Sequence, residues 1–129
     1  MIETPRLRLI PCEVRHFEAI LTDPKQLEGM LGVTVFDDGF DFPGVASMET
    51  MRFLYKHLKA NPDVLGWWTY LFVHAEDRVL IGQGGYKGKA NGAGTVEIGY
   101  AIVPAYRRRG LATETAQGLI DNAFAHAHV

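Results

Sequence analysis

The stretch from Val96 to Phe124 constrains the fold more than any other: an alternating strand, a proline, three consecutive arginines, a glycine and an amphipathic helix follow one another without a linker. Between Thr95 and Val103, the residues Val96, Ile98, Tyr100 and Ile102 alternate with Glu97, Gly99, Ala101 and Val103, the period of a strand. Past Pro104, Ala112, Ala116, Leu119, Ile120, Ala123 and Phe124 recur at helical spacing, and the pattern is still running as it nears the last residues.

The preceding residues read as further short elements. Leu7 and Leu9 alternate behind Pro5 and suggest a strand that ends at Pro11. Val14, Phe17, Ile20 and Leu21 then mark a helix, Asp23-Pro24 stops it, and a second helical piece spans Gln26 to Leu31. From Gly32 to Gly44 the periodicity is lost among turn formers, and a loop is expected whose Phe36, Phe40 and Phe42 either fold back on the core or line a pocket. Ser47 is placed to cap a helix with Met51, Leu54, Tyr55 and Leu58 on one face, ending near Asn61-Pro62. Trp67 to Val73 is an almost unbroken apolar run, as for a strand covered on both faces. Glu76-Asp77 makes a turn into a second strand from Val79 to Tyr86, where Gly82, Gly84 and Gly85 signal a bulge or a close backbone approach. A Gly-rich loop from Gly88 to Gly94 leads to the strand that begins at Thr95. With no repeat, linker or low-complexity segment, residues 1–129 read as one domain.

Charge excludes some functions. A net charge of −2 and a pI near 6.2 argue against a whole-molecule attraction to nucleic acid or to an anionic membrane. The dense basic run Arg107-Arg108-Arg109 is too short for a nucleic-acid arm but long enough to meet a phosphate. Cys12, the single cysteine, has no partner for a disulfide or a zinc site, which points to a reducing compartment and a cytoplasmic location. No apolar run approaches the roughly 18 residues of a membrane span. The histidines His16, His57, His74, His126 and His128 are scattered, and no metal site is expected.

The arginine-rich turn suits an anion. The first amides of a helix lack intrahelical acceptors and the helix dipole favours negative charge there, while Gly110 and Ala112 keep bulky side chains out of the approach. A P-loop is absent, and Gly82-Gln83-Gly84-Gly85 lies inside a strand rather than at a strand-to-helix turn, so nucleotide hydrolysis and dinucleotide reduction are not indicated. The stretch does resemble motif A of the GNAT acetyltransferases, Gln/Arg-x-x-Gly-x-Gly/Ala, which is met by Arg107, Gly110 and Ala112. The opening Thr4-Pro5-Arg6-Leu7-Arg8-Leu9 looks like the first strand of the same family, in its ribosomal-protein-alanine N-acetyltransferase branch.

The resemblance implies an α/β fold with a mixed, mostly antiparallel central sheet flanked by helices. It implies acetyl-CoA as acyl donor, with backbone groups of Ala101, Ile102 and Val103 pairing along the pantetheine arm and the amides of Arg108, Arg109, Gly110, Leu111, Ala112 and Thr113 holding the pyrophosphate. The side chains of Arg107, Arg108 and Arg109 would add charge there, a solvated surface charge being the alternative for each. It also implies Glu97 as the base that takes a proton from an amine acceptor, against the alternative of a solvated glutamate on a polar strand face. The expected reaction is direct attack of a primary amine, of a protein N-terminus or a small molecule, on the thioester. A non-catalytic acetyl-CoA-binding or dimerisation module is the competing reading.

The family pattern continues beyond what matches here, with C-terminal strands and a tyrosine often cast as the general acid, so no acid is assigned. Without those strands a sheet edge and an apolar helix face would stand open, and a homodimer is expected. The acidic residues Glu28, Asp37, Asp38 and Asp41 would suit a cationic amine.

Overall fold

A computed structural model describes residues 1–36, 47–89 and 96–126. Strand β1 (Ile2–Glu3) folds antiparallel onto β2 (Leu7–Pro11), and helices α1 (Val14–Thr22) and α2 (Gln26–Leu31) follow. A short strand β3 (Thr34–Val35) precedes α3 (Met48–Ala60), then come β4 (Thr69–His74), β5 (Val79–Tyr86), β6 (Ile98–Ile102) and α4 (Leu111–Phe124). Two single 3₁₀ turns, at Pro62–Val64 and Pro104–Tyr106, each open on a proline whose fixed φ suits the first position.

Local chemistry sets the boundaries. Ser47 Oγ accepts from Thr50 N–H at 3.1 Å and starts α3, as its place in the sequence suggests. Gly32 ends α2 at φ 67°, a left-handed conformation that a side chain would disfavour. Four expectations need correction. Thr34–Val35 is a strand inside the expected loop, because two residues pair parallel with Val79 and Leu80 and no periodicity is visible in so short a piece. β4 begins at Thr69 rather than Trp67, since the preceding tryptophans belong to an irregular turn. β6 is likewise shorter than the alternating stretch. α4 ends at Phe124, and its buried stripe is Leu111, Thr115, Gly118, Leu119 and Ala123, leaving Ala112, Ile120 and Phe124 exposed. The helix is turned toward Gly118, where an added Cβ would lie 2.7 Å from Thr4 Cγ2, so its small residue permits close contact with the β1–β2 corner. Phe40, Phe42, Asp37, Asp38, Asp41, Thr95 and His128 lie outside the described residues.

The sheet runs β1-β2-β4-β5, antiparallel throughout, and β5 carries two neighbours on its other edge. β3 pairs parallel with Val79 and Leu80, and β6 pairs antiparallel with Gly82 to Tyr86. This is the mixed, mostly antiparallel sheet with flanking helices that the family resemblance implies. Its two faces bury separate cores. Leu71, Val73 and Leu80 meet α1, α2 and α3 through Phe17, Ile20, Leu27, Met51 and Leu58 on one side. Leu7, Leu9, Tyr70, Phe72, Ile81 and Ile102 meet Leu111 and Leu119 of α4 on the other. β4 shows the strand alternation directly, odd positions going to the first core and even positions to the second.

The glycines of β5 let its neighbours close in. At Gly84 (φ 154°) a Cβ would sit 2.4 Å from Tyr100 Cα, and at Gly85 (φ 147°) 2.1 Å from the Trp68 carbonyl oxygen. The register also slips between Phe72 and Val73, leaving Ile81 as the extra residue of a bulge that sends it into the α4 core. Cys12 is buried in the first core, and burial pushes its thiol well above the ordinary value. Among the described residues no helix is long and apolar enough to cross a membrane.

A histidine caps the entry to α1. Glu13 N–H donates to His16 Nδ1 at 2.9 Å, so that nitrogen carries no proton, and the buried Nε2 meets no acceptor. Burial, and next the charge of Arg15, lower the pKa of His16. Between that depressed value and the ordinary value of 6.5 the unfolded chain binds a proton that the folded chain refuses, so stability falls as pH drops through this window. Replacing His16 with Gln is expected to flatten that segment of the stability profile. Urea denaturation of both proteins across the window checks this, and identical slopes would remove His16 as the source.

Candidate functional site

The site grows from the end of β6. Val103 N–H donates to Ile81 O at 2.7 Å and Lys87 N–H donates to Glu97 O at 3.0 Å. In an antiparallel pair the residues between such bonded partners turn their polar groups outward. Ile98, Tyr100 and Ile102 therefore direct N–H and C=O to the outer edge of β6, where no strand pairs among the described residues. Of Ala101, Ile102 and Val103, only Ile102 offers its backbone groups to that edge, while the other two face β5. Arg107 reaches back and donates from Nε to Ile102 O at 2.7 Å, so one carbonyl of the edge already has a partner.

Beyond the 3₁₀ turn the backbone takes two left-handed steps, at Arg108 (φ 62°) and Gly110 (φ 74°). The first helical bond of α4 is from Glu114 N–H to Gly110 O. The amides from Arg108 through Thr113 have no acceptor among the described residues, which leaves a row of donors at the positive end of the helix dipole. The three arginines divide their work. Arg107 braces the strand end, Arg109 lies over the Tyr106 ring at 4.7 Å, and Arg108 makes no ion pair or hydrogen bond among the described residues. Tyr106 in turn donates to Asp77 Oδ2 at 2.8 Å, which ties the loop to the β4–β5 turn. The donor set fits a phosphate-bearing cofactor: unpartnered amides, a glycine where a side chain would be strained, and an uncommitted guanidinium.

On the α3 face of the sheet a cavity of about 280 Å³ opens where β5 and β6 run side by side, lined by Leu54, Thr69, Gln83, Gly85, Lys87, Gly99 and Ala101 among others. Glu97 stands on the same face by alternation, outside the residues that line the cavity, with its side chain 75% exposed and 3.9 Å from Nζ of Lys87, which does line it. The polar side chains of Thr69, Gln83 and Lys87 in this groove carry no spacing signal, although the glycines around Gln83 pointed to a close backbone approach. Trp68 braces the fold, donating from Nε1 to Leu54 O at 3.0 Å beneath the stacked ring of His57. Trp67 faces the opposite core, against Tyr86. Glu28 accepts from Val35 N–H at 2.9 Å and so serves the fold rather than the groove. A larger cleft of about 370 Å³ lies between β1 and α4, but its Glu3 and Asp121 carboxylates would repel phosphate. The smaller cavity, which reaches Gly99, Tyr100 and Ala101 of β6, is therefore the better candidate.

The sequence matches the Acetyltransferase (GNAT) domain over residues 6–129. It is 26% identical to the uncharacterized N-acetyltransferase YjdG of Bacillus subtilis over all of this chain and 75% of that protein. The fold superposes on a putative GnaT-family acetyltransferase from Bordetella pertussis with a TM-score of 0.61 at 18% identity, over 96% of this chain and 72% of the other. It also superposes, with a TM-score of 0.60 at 18% identity, on RimL, a ribosomal alpha-N-protein acetyltransferase solved in complex with coenzyme A, over 98% and 68% of the two chains. With its motif on a strand, a phosphate-ready turn and a helix, and with the domain match spanning nearly its whole length, the chain belongs to the GNAT acetyltransferase family.

Proposed function

We propose that the chain is an N-acetyltransferase that uses acetyl-CoA as donor and a primary amine as acceptor. One observation carries this reading: the row of amides from Arg108 to Thr113, unpartnered among the described residues, follows directly on β6, whose outer edge pairs with no strand among them. Ile102, with Tyr100, would line the pantetheine arm. Gly110 and its neighbours would hold the pyrophosphate, and Arg108 would add charge. Acetyl-CoA supplies the activated thioester, which the amine attacks directly.

Glu97 is proposed to accept the amine proton at the groove rim, with Lys87 holding it there. At pH 7 roughly 10–15% of an α-amine is already unprotonated, against about 0.04% of a lysine amine. A base therefore matters most for a lysine-like acceptor, and an N-terminal amine asks less of Glu97. The RimL likeness favours the N-terminal class within this proposal.

Titration by calorimetry should show acetyl-CoA and CoA binding in the micromolar range with ATP much weaker. Gly110→Val, which cannot adopt φ 74° without strain, should abolish that binding while the fold persists. Absence of acetyl-CoA binding in the parent chain would end the reading. Glu97→Gln should leave acetyl-CoA affinity unchanged and lower kcat by about 100-fold or more. Unaltered turnover would assign the base elsewhere.

Self-association is part of the proposal and is favoured by two features. Ile120 and Phe124 are 36% and 69% exposed on one stripe of α4, and the β6 edge has no partner strand among the described residues. Sedimentation should give a dimer that Phe124→Glu weakens, whereas a monomer at high concentration would count against it.

A further inference from the structure

The Thr4–Arg6 corner reaches across 108 positions of sequence to the first turn of α4. Glu114 accepts from Arg6 Nε and from Arg6 N–H, both at 2.7 Å, and from Thr4 Oγ1 at 2.5 Å. Burial alone would raise the pKa of Glu114, but the Thr4 hydroxyl and the two Arg6 donors outweigh it and hold the carboxyl below its usual value. The same guanidinium donates from Nη1 to Arg109 O at 2.9 Å, and a methyl group added at Gly110 would come 3.4 Å from Nη2.

Peptide planarity gives that last bond a directional consequence. No peptide bond among the described residues is cis, and across a trans peptide C=O and N–H point in opposite directions. When Arg6 holds the Arg109 carbonyl on its own side, the Gly110 N–H is turned to the other side, toward the open face of the loop. The neighbouring carboxylate would otherwise oppose an anion at the first turn, and its pairing with Arg6 cancels that charge.

We propose that Arg6 is a positioning residue for acetyl-CoA: by gripping the Arg109 carbonyl it aims the Gly110 amide at the pyrophosphate, and by pairing with Glu114 it removes a repelling charge. The inference rests on the acetyl-CoA reading above. Arg6 does not touch the cofactor itself.

Amide NMR of the ¹⁵N-labelled chain tests it. On addition of acetyl-CoA the Gly110 and Ile102 resonances of the parent protein should both move. In Arg6→Gln and Arg6→Lys the Ile102 response should persist, the Gly110 response should collapse, and Kd should rise about tenfold. Lysine keeps the charge but cannot grip the carboxylate and the carbonyl together, so full rescue by Arg6→Lys would overturn the proposal. Glu114→Gln, which leaves the carbonyl contact in place, should retain the Gly110 response. Its loss there would overturn the proposal as well, as would equal loss at Gly110 and Ile102 in Arg6→Gln, the mark of general damage. Should Arg6→Gln fail to fold, Arg6→Lys and Glu114→Gln decide in the same way. A parent protein whose resonances do not respond at all would refute the acetyl-CoA reading, whereas a responding parent with unaffected variants would refute the role of Arg6 alone.

Discussion

Everything near the site depends on how closely β5 lets its neighbours approach. Backbone from β4 and β6 comes within reach of Gly84 and Gly85 at distances no side chain would allow, and these contacts place the β6 edge, the groove floor and the loop into α4. The same strand carries β3 and β6 in series on one edge, so it changes neighbour at Ile81, where the bulge sits. A regular, side-chain-bearing strand in this position would push the donor loop away from the groove.

The electrostatics are local rather than global. With a net charge of −2 the molecule as a whole does not attract anions, and what favours a phosphate is the arrangement of a few groups on one turn. Two of the three arginines are engaged by the Tyr106 ring and the Ile102 carbonyl, so the run shapes the loop as much as it charges it. Backbone amides, which carry no formal charge and do not enter a count of basic residues, supply most of the donors.

Much of this was legible in the sequence because the signals were local. Ser47 caps the helix it precedes, the Asp23-Pro24 break separates two helices, and Val79 to Tyr86 is a strand end to end. The arginine turn and Gly110 were found for the same reason, since strand, turn and helix are contiguous. Misses came where the deciding partner was distant. β3 exists only through its pairing with Val79 and Leu80, and the outward phase of Ala112, Ile120 and Phe124 follows from Gly118 seating against Thr4. No spacing rule links Arg6 to Glu114, and the division of Ala101, Ile102 and Val103 between β5 and the open edge depends on a register that alternation alone leaves undetermined.

Cys12 has a consequence beyond packing. It is the sole thiol of the chain, 1% exposed, with its ionisation suppressed by burial between the sheet and α1. Attack by a thiol reagent therefore waits for the layer over it to lift, and labelling becomes a clock for opening events in that half of the molecule. Because the α4 core lies on the far face of the sheet, the rate at which Cys12 reacts separates excursions of the α1–α3 layer from those of the α4 layer.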